Sequence, residues 1–216
     1  MLDLFNIAKP QGCDIQTFYG SGAPSATQSV KSWVKPRGVS HVYMMLIGGG
    51  GDGGTGSGGG SGAVTVWYGA AQHVPDVLDV YVGDSGQASQ IKYRQSGTSA
   101  QLLVANAGTN GAGGGAGGSA SAANNFTASG FFQSVTGQTG GSSGPSSTIF
   151  LSGGDIATQT GNYGYSSGKN GYFQMQPIIV GVGSQSGTAA GSSGVGCGGG
   201  GGSGLGGQGM VLIASW

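Results

Sequence analysis

The sequence predicts an all-β fold, a compact β-sandwich-like module with ordered glycine-rich tracts and little or no helix. Its hydrophobic residues, 37% of the chain, come in strand-sized blocks separated by glycine and small polar residues. Glutamate is absent and only 7 of 216 residues are lysine or arginine, so most good helix formers are scarce. The 52 glycines gather in tracts that interrupt the strands, rather than in one linker between domains.

Six apolar blocks are predicted to be strands, at residues 41–47, 63–68, 77–82, 89–93, 101–105 and 210–216. The first is too continuously apolar to leave one of its faces in water. It runs into glycine, whereas the last block is preceded by glycine. This mirror arrangement predicts that residues 44–47 and 210–213 are neighbours that close the module.

Three glycine tracts, at residues 48–62, 108–118 and 181–209, allow two interpretations. Glycine can form a flexible linker. Alternatively, because it lacks a Cβ, it can pack backbone against backbone in polyproline II-like strands, whose N–H and C=O groups then bond one another. A linker predicts one tract between two domains, so three tracts within one domain favour ordered packing.

The chain is predicted to have an N-terminal arm at residues 1–31 and a glycine-rich β domain at residues 32–216. A loop-rich aromatic insertion is expected at about residues 124–175. The apolar residues Leu2, Leu4, Phe5 and Ile7 are candidates for attachment to another subunit or protein. The alternative is that the arm is a strand packed on the main domain. The two cysteines form either one disulfide or two free thiols.

Composition argues against catalysis and cofactors. All seven acids are aspartate, and beyond Gln95 the only charged side chains are Asp155 and Lys169, so a positioned acid and base are not expected. No histidine or cysteine spacing is typical of zinc, and no lysine follows the first glycine tract as in a phosphate loop. A calcium site on the aspartates near residues 76–84 is less favoured than solvated or turn-capping roles. We therefore expect no enzyme, no metal and no cofactor.

The charge and hydropathy of the chain argue against nucleic acid and membrane as partners. The formal net charge is zero and no basic cluster occurs, which disfavours nucleic acid. No apolar run reaches the roughly 18 residues of a membrane span, so no membrane insertion is expected.

Aromatic residues among serine, glycine and asparagine are typical of adaptable recognition surfaces. The candidates for receptor contact are Phe131, Phe132, Tyr163, Tyr165, Tyr172 and Phe173. The alternative is that these rings form the core between short strands. The three tryptophans, Trp33, Trp67 and Trp216, are expected in the core.

Four landmarks occur in a familiar order: Trp33 with Pro36 and Gly38, then VYMMLI running into GGGGDGG, then LDVYVGDSG, and finally GGQGMVLIASW. This order resembles the glycine-rich domain of phage and prophage tail-fibre proteins over residues 32–216. The tracts are also similar to those of tip adhesins of large tailed phages, in which polyglycine strands form a sandwich and loops contact the receptor. The aromatic segment at residues 124–175 has no counterpart in the short family pattern.

The resemblance implies a phage virion structural protein at the particle surface, a spike, fibre or tail-tip adhesin that engages the host cell. Its implied partners are other virion proteins, through the N-terminal arm, and a host surface glycan or outer-membrane protein. A homo-oligomer is expected. The alternative is a capsid decoration, cement or minor shell protein with a purely structural role. A third hypothesis is a secreted or filament-forming bacterial protein.

Overall fold

The computed structural model describes residues 14–21, 28–53, 59–95, 98–110, 120–122, 124–135, 137, 195–196 and 205–216. Within these ranges the chain forms two antiparallel five-stranded sheets and no α-helix, which confirms the predicted all-β, sandwich-like fold. Two short 3-10 helices, Ala71–His73 and Asn124–Ser129, lie between strands. No helix in the described ranges is long and apolar enough to cross a membrane.

The ten strands are β1 (Asp14–Tyr19), β2 (Gln28–Val34), β3 (His41–Ile47), β4 (Val64–Ala70), β5 (Val77–Gly83), β6 (Ser89–Gln95), β7 (Thr98–Ala105), β8 (Ala120–Ala122), β9 (Gly130–Val135) and β10 (Met210–Ser215). Sheet A has the order β1-β10-β3-β4-β9, and sheet B has the order β2-β5-β6-β7-β8. Each of the six apolar blocks therefore corresponds to a strand.

The last strand lies in the middle of sheet A, between β1 and β3. In the antiparallel register of β10 and β3, Met210 is opposite Ile47 and Ile213 is opposite Met44. The predicted closure of the module is therefore confirmed. A strand so far from β3 in sequence can take this central place because both of its faces are apolar and buried.

The main core fills the space between the two sheets. Its largest fully buried side chains include Trp33 from β2 and Trp67 from β4. The Trp67 ring stacks on Phe126 with centroids 4.4 Å apart, and its Nε1–H donates to the Phe126 carbonyl oxygen at 3.1 Å. The expected core positions of Trp33 and Trp67 are confirmed.

A second apolar cluster covers the face of sheet A that points away from sheet B. Its buried members are Tyr43, Ile47, Val66, Met210, Leu212 and Ala214. Sheet A is therefore apolar on both faces, as the continuous apolar run of β3 predicts. The outer face of sheet B instead combines polar and charged residues such as Ser32, Gln90 and Lys92 with exposed valines of β2 and β5.

Described residues of the glycine tracts bond one another through their backbones, within one tract and between tracts. Within the first tract, Gly51 donates to the Gly60 carbonyl oxygen at 2.9 Å. Between the first and second tracts, Gly60 donates to Thr109 at 3.1 Å and Gly108 to Gly49 at 2.9 Å. A Cβ on Gly108 would overlap the Gly60 carbonyl oxygen, so no other residue fits there. The polyproline II-like conformation of the tracts as a whole stays a prediction.

The predicted N-terminal arm is described only in part. Residues 14–19 form β1 and pair with β10, and residues 28–31 begin β2, which pairs with β5. This part of the arm thus belongs to the two sheets. Leu2, Leu4, Phe5 and Ile7 lie outside the described residues, as do both cysteines, so the attachment role and the domain boundary stay predictions.

Candidate functional site

Sheet A has two chemically different ends. At one end, which we call the glycine end, Ile47, Val64 and Met210 adjoin glycine-rich segments. The opposite end, which we call the aromatic end, carries one aromatic residue from each of four neighbouring strands. These four residues, here called the aromatic strip, are Trp216, which follows β10, His41 of β3, Tyr68 of β4 and Phe131 of β9.

Three rings of the strip stand nearly parallel. The ring centroids of His41 and Tyr68 are 5.7 Å apart at an interplanar angle of 17°. Trp216 stacks beside both, 6.1 Å from His41 at 18° and 5.8 Å from Tyr68 at 13°. Phe131 is directly opposite Tyr68 in the register of β4 and β9. Three stacked rings and the neighbouring Phe131 side chain therefore lie side by side on one face of sheet A.

The backbone around Trp216 fixes its place in the strip. Trp216 donates to the His41 carbonyl oxygen at 3.1 Å, and its own carbonyl oxygen accepts from the N–H groups of His41 at 3.0 Å and Ser40 at 2.7 Å. The Ser40 hydroxyl lies 3.2 Å from the same oxygen and 2.9 Å from Nδ1 of His41. These bonds extend the ladder between β10 and β3 by one residue. They fix the backbone that carries the rings of His41 and Trp216.

Two glycines support the strip from the inner face of sheet A. Gly69 and Gly130 lie opposite one another in β4 and β9. A Cβ on either would collide with the Trp67 ring, which lies flat beneath them in the core. Their bare backbone lets the Trp67 ring pack directly against β4 and β9, the strands that carry Tyr68 and Phe131.

The strip is open to solvent, and the strands that carry it are nearly free of charged side chains. Tyr68 is 37% exposed and Phe131 is 48% exposed, while His41 and Trp216 are partly buried. Among the described strands of sheet A, Asp14 is the one acid and there is no lysine or arginine. Such a surface suits an uncharged partner with both apolar and hydroxyl groups.

The predicted receptor-contact residues fall into three groups. Phe131 lies in the aromatic strip, whereas its neighbour Phe132 faces inward and packs against the main core. Four others lie outside the described residues: Tyr163, Tyr165, Tyr172 and Phe173. Whether any of the six contacts a receptor stays a prediction.

Sequence reasoning missed three members of the strip. The sequence does not single out His41 or Tyr68 for recognition. It predicts Trp216 in the core, and the structure has this residue partly buried, packed against the second apolar cluster and stacked in the strip. The signal that could have found them is the position of an aromatic residue at each strand end that lies away from glycine. Using that signal requires the strand order, which the sequence does not state.

Several aspartates outside the strip have structural roles. The Asp76 carboxylate lies 2.9 Å from the Lys35 ammonium, and Asp84, which is buried, accepts from the Ser21 hydroxyl at 2.7 Å. Asp79 is buried within β5. In the described ranges, no three histidine, cysteine or acidic side chains are grouped to hold a metal ion.

Comparison with known proteins assigns no family. No protein-family model matches this chain, and no curated protein is significantly similar to it in sequence.

Proposed function

We propose that this chain is a structural protein of a phage virion, displayed on the particle surface, where the aromatic strip engages the host cell. The observation that carries the proposal is the strip itself, an exposed and ordered aromatic surface at the end of sheet A away from the glycines. The sequence resemblance to the glycine-rich domain of phage tail-fibre proteins supplies the virion context.

The fold suits a recognition role because contacts within the chain fix the conformation of the strip before a partner binds. Tyrosine and tryptophan bring large contact area with few rotatable bonds, so little side-chain entropy is lost on binding. The stacked rings of His41, Tyr68 and Trp216 restrict one another further.

A second candidate, a capsid decoration or cement protein, is favoured by a different surface. Val30 and Val34 of edge strand β2 are 53% and 61% exposed, and Val77 of the adjoining β5 is 53% exposed. Exposed apolar residues on a sheet edge can pack against a neighbouring subunit. Copy number separates the candidates, since a shell protein occurs in hundreds of copies and a tip adhesin in few. Quantitative mass spectrometry of purified particles measures it.

The test of the adhesin proposal is binding of the purified, fluorescently labelled chain to the bacterial host of the parent phage. Wild-type protein is expected to bind host cells and to delay infection by the phage. Tyr68→Ala should lose this binding, whereas Val34→Ala, which removes an exposed apolar side chain on sheet B, should keep it. Wild-type protein that neither binds host cells nor competes with the phage would refute the proposal.

A further inference from the structure

We infer that the aromatic strip binds a neutral saccharide, with the C–H face of a pyranose ring packed against the exposed surface of Tyr68 and Phe131. The inference rests on the proposed function, because it names the class of host molecule that the strip would contact. Three features of the strip carry it: ring chemistry, charge and size.

The ring chemistry of the strip matches the alternating character of a sugar. An aromatic face is electron-rich and an aromatic edge is electron-poor. A pyranose has a face of C–H bonds, whose hydrogens are weakly positive, and a rim of hydroxyl groups. Tyr68, His41 and Trp216 each combine a ring with a polar O or N atom at its edge. The strip can therefore pack on the C–H face and hydrogen-bond to hydroxyl groups at the same time.

The charge around the strip favours a neutral ligand over an acidic one. Recognition of carboxylate or phosphate groups relies on arginine or lysine. The described strands of sheet A contain neither. In the loop before His41, Lys35 pairs with Asp76 at 2.9 Å, whereas Arg37 is exposed. The one acid of these strands, Asp14, accepts from Gln16 Nε2 at 2.6 Å. Asp14 is paired with Ser215, which faces the core, so its side chain lies on the other face of the sheet from the strip. Sugars without acidic groups therefore fit best.

The size of the strip favours a saccharide over a protein receptor. A fully buried aromatic side chain covers about 150–250 Å². With Tyr68 37% and Phe131 48% exposed and the other two rings partly buried, the strip offers at most about 400 Å². A stable protein–protein interface buries about 800 Å² on each partner. One or two sugar rings need a far smaller contact area.

A glycan array tests the inference directly. The array should carry neutral oligosaccharides of hexoses, deoxyhexoses and N-acetylhexosamines beside acidic ones that contain uronic acid, sialic acid or phosphate. Wild-type protein is expected to bind neutral glycans, and titration calorimetry with the best of them gives the affinity. Tyr68→Ala and Phe131→Ala should each weaken it about tenfold. Tyr68→Phe, which keeps the ring, should weaken it less than Tyr68→Ala, and Val34→Ala should leave it unchanged.

The outcomes separate this inference from the proposed function. If wild-type protein binds host cells but no glycan, and protease treatment of the cells abolishes binding, the receptor is a protein and the inference is wrong while the adhesin proposal stands. If it binds neutral glycans but not host cells, the inference stands and the adhesin proposal fails. Binding confined to acidic glycans, or binding that survives both alanine substitutions in variants with wild-type melting curves, would also overturn the inference.

Discussion

The two ends of sheet A differ in the contacts that stabilise them. At the glycine end, contacts between backbones hold much of the structure, as in the bonds that join Gly49, Gly51, Gly60 and Gly108, and a few polar side chains such as Asp52 add to them. At the aromatic end, the backbone ladder continues regularly and large rings stack above it. The described part of the glycine end therefore relies on close backbone packing, whereas the aromatic end offers an aromatic surface. The same strands connect them.

The contrast predicts different responses to substitution. Adding a single methyl group at the glycine end should be more harmful than removing a whole ring at the aromatic end. The reason is that a Cβ at the glycine end meets backbone, which cannot move aside without breaking the ladder. At the aromatic end, an exposed ring leaves a gap that water can fill.

The largest effect is expected for Gly48→Ala. A Cβ at this position would overlap the carbonyl oxygen of Asn106, which itself accepts from the Ala63 N–H at 2.9 Å. We expect a loss of about 3 kcal/mol or more in the free energy of unfolding, measured by urea titration. The control is Gly38→Ala, where φ is +81° but the space around a Cβ is open. Only the strain of the left-handed backbone should lower the free energy of unfolding there, by about 1–2 kcal/mol. Equal losses for the two variants would mean that close backbone packing does not hold the glycine end.

The buried residue Tyr43, which lies opposite Tyr68 in the register of β3 and β4, should give the protein an alkaline transition. Burial raises the pKa of Tyr43 to about 12. Its hydroxyl has no hydrogen-bond partner among the described residues. Because the folded chain holds this proton more tightly than the unfolded chain, stability is complete below the usual tyrosine pKa near 10. It should fall by about 2–3 kcal/mol as the pH rises through 12.

Urea titrations at pH 9 and at pH 11.5 measure this loss. Tyr43→Phe should remove most of it, because phenylalanine has no proton to release. Tyr68→Phe, at the exposed strip, is the control and should retain it. Equal alkaline losses in wild type and Tyr43→Phe would show that burial of the Tyr43 hydroxyl does not cause the transition.

An intermediate effect is expected for Asp52→Ala, which tests the polar contacts at the glycine end. The Asp52 carboxylate accepts from the Ser85 hydroxyl and, at 2.8 Å, from the Gly206 N–H, and it thereby joins segments distant in sequence. We expect a loss of about 2 kcal/mol in urea titrations, because hydrogen bonds to a charged group are lost. Asp76→Ala is the control, because the Asp76 carboxylate that pairs with Lys35 is largely exposed. Its loss should lower the free energy of unfolding by well under about 1 kcal/mol. A similar small loss for Asp52→Ala would leave backbone contacts as the sole support of this end.

The smallest effect on stability is expected for Tyr68→Ala at the aromatic end. The residue is partly exposed and loses two ring contacts, so the cost should be about 1 kcal/mol. Trp67→Ala, the neighbouring and fully buried residue on the same strand, should cost about 3–5 kcal/mol. Urea titration of both variants measures the difference. A loss for Tyr68→Ala as large as that for Trp67→Ala would make the strip part of the core rather than a surface.

Much of the fold could be predicted because its strands are locally consistent. The β-branched and aromatic blocks that became β4 and β5 contain few residues that compete with a strand. The pairing of β3 and β10 followed from their mirrored relation to glycine. Strand β9 was harder to predict, because Phe131 and Phe132 sit among serine and glycine and gain their strand conformation by pairing with β4.

The candidate site was less predictable than the fold. Phe131 was singled out from composition, yet its partners His41, Tyr68 and Trp216 are 63 to 90 positions away from it in sequence and share no local motif. Period-two alternation tells that Phe131 and Phe132 face opposite sides of a strand. It does not tell which side meets the core.

By itself, the sequence determined the class of fold and the need for close backbone packing. Both depend on local properties: strand propensity, the scarcity of helix formers, and glycine, which alone leaves room for a neighbouring carbonyl group. Only the tertiary structure decided which aromatic rings meet. Strand order and register bring Trp216 beside His41 and Tyr68 beside Phe131. These depend on which pairings bury the most apolar surface across the whole chain, a global balance that no single segment contains.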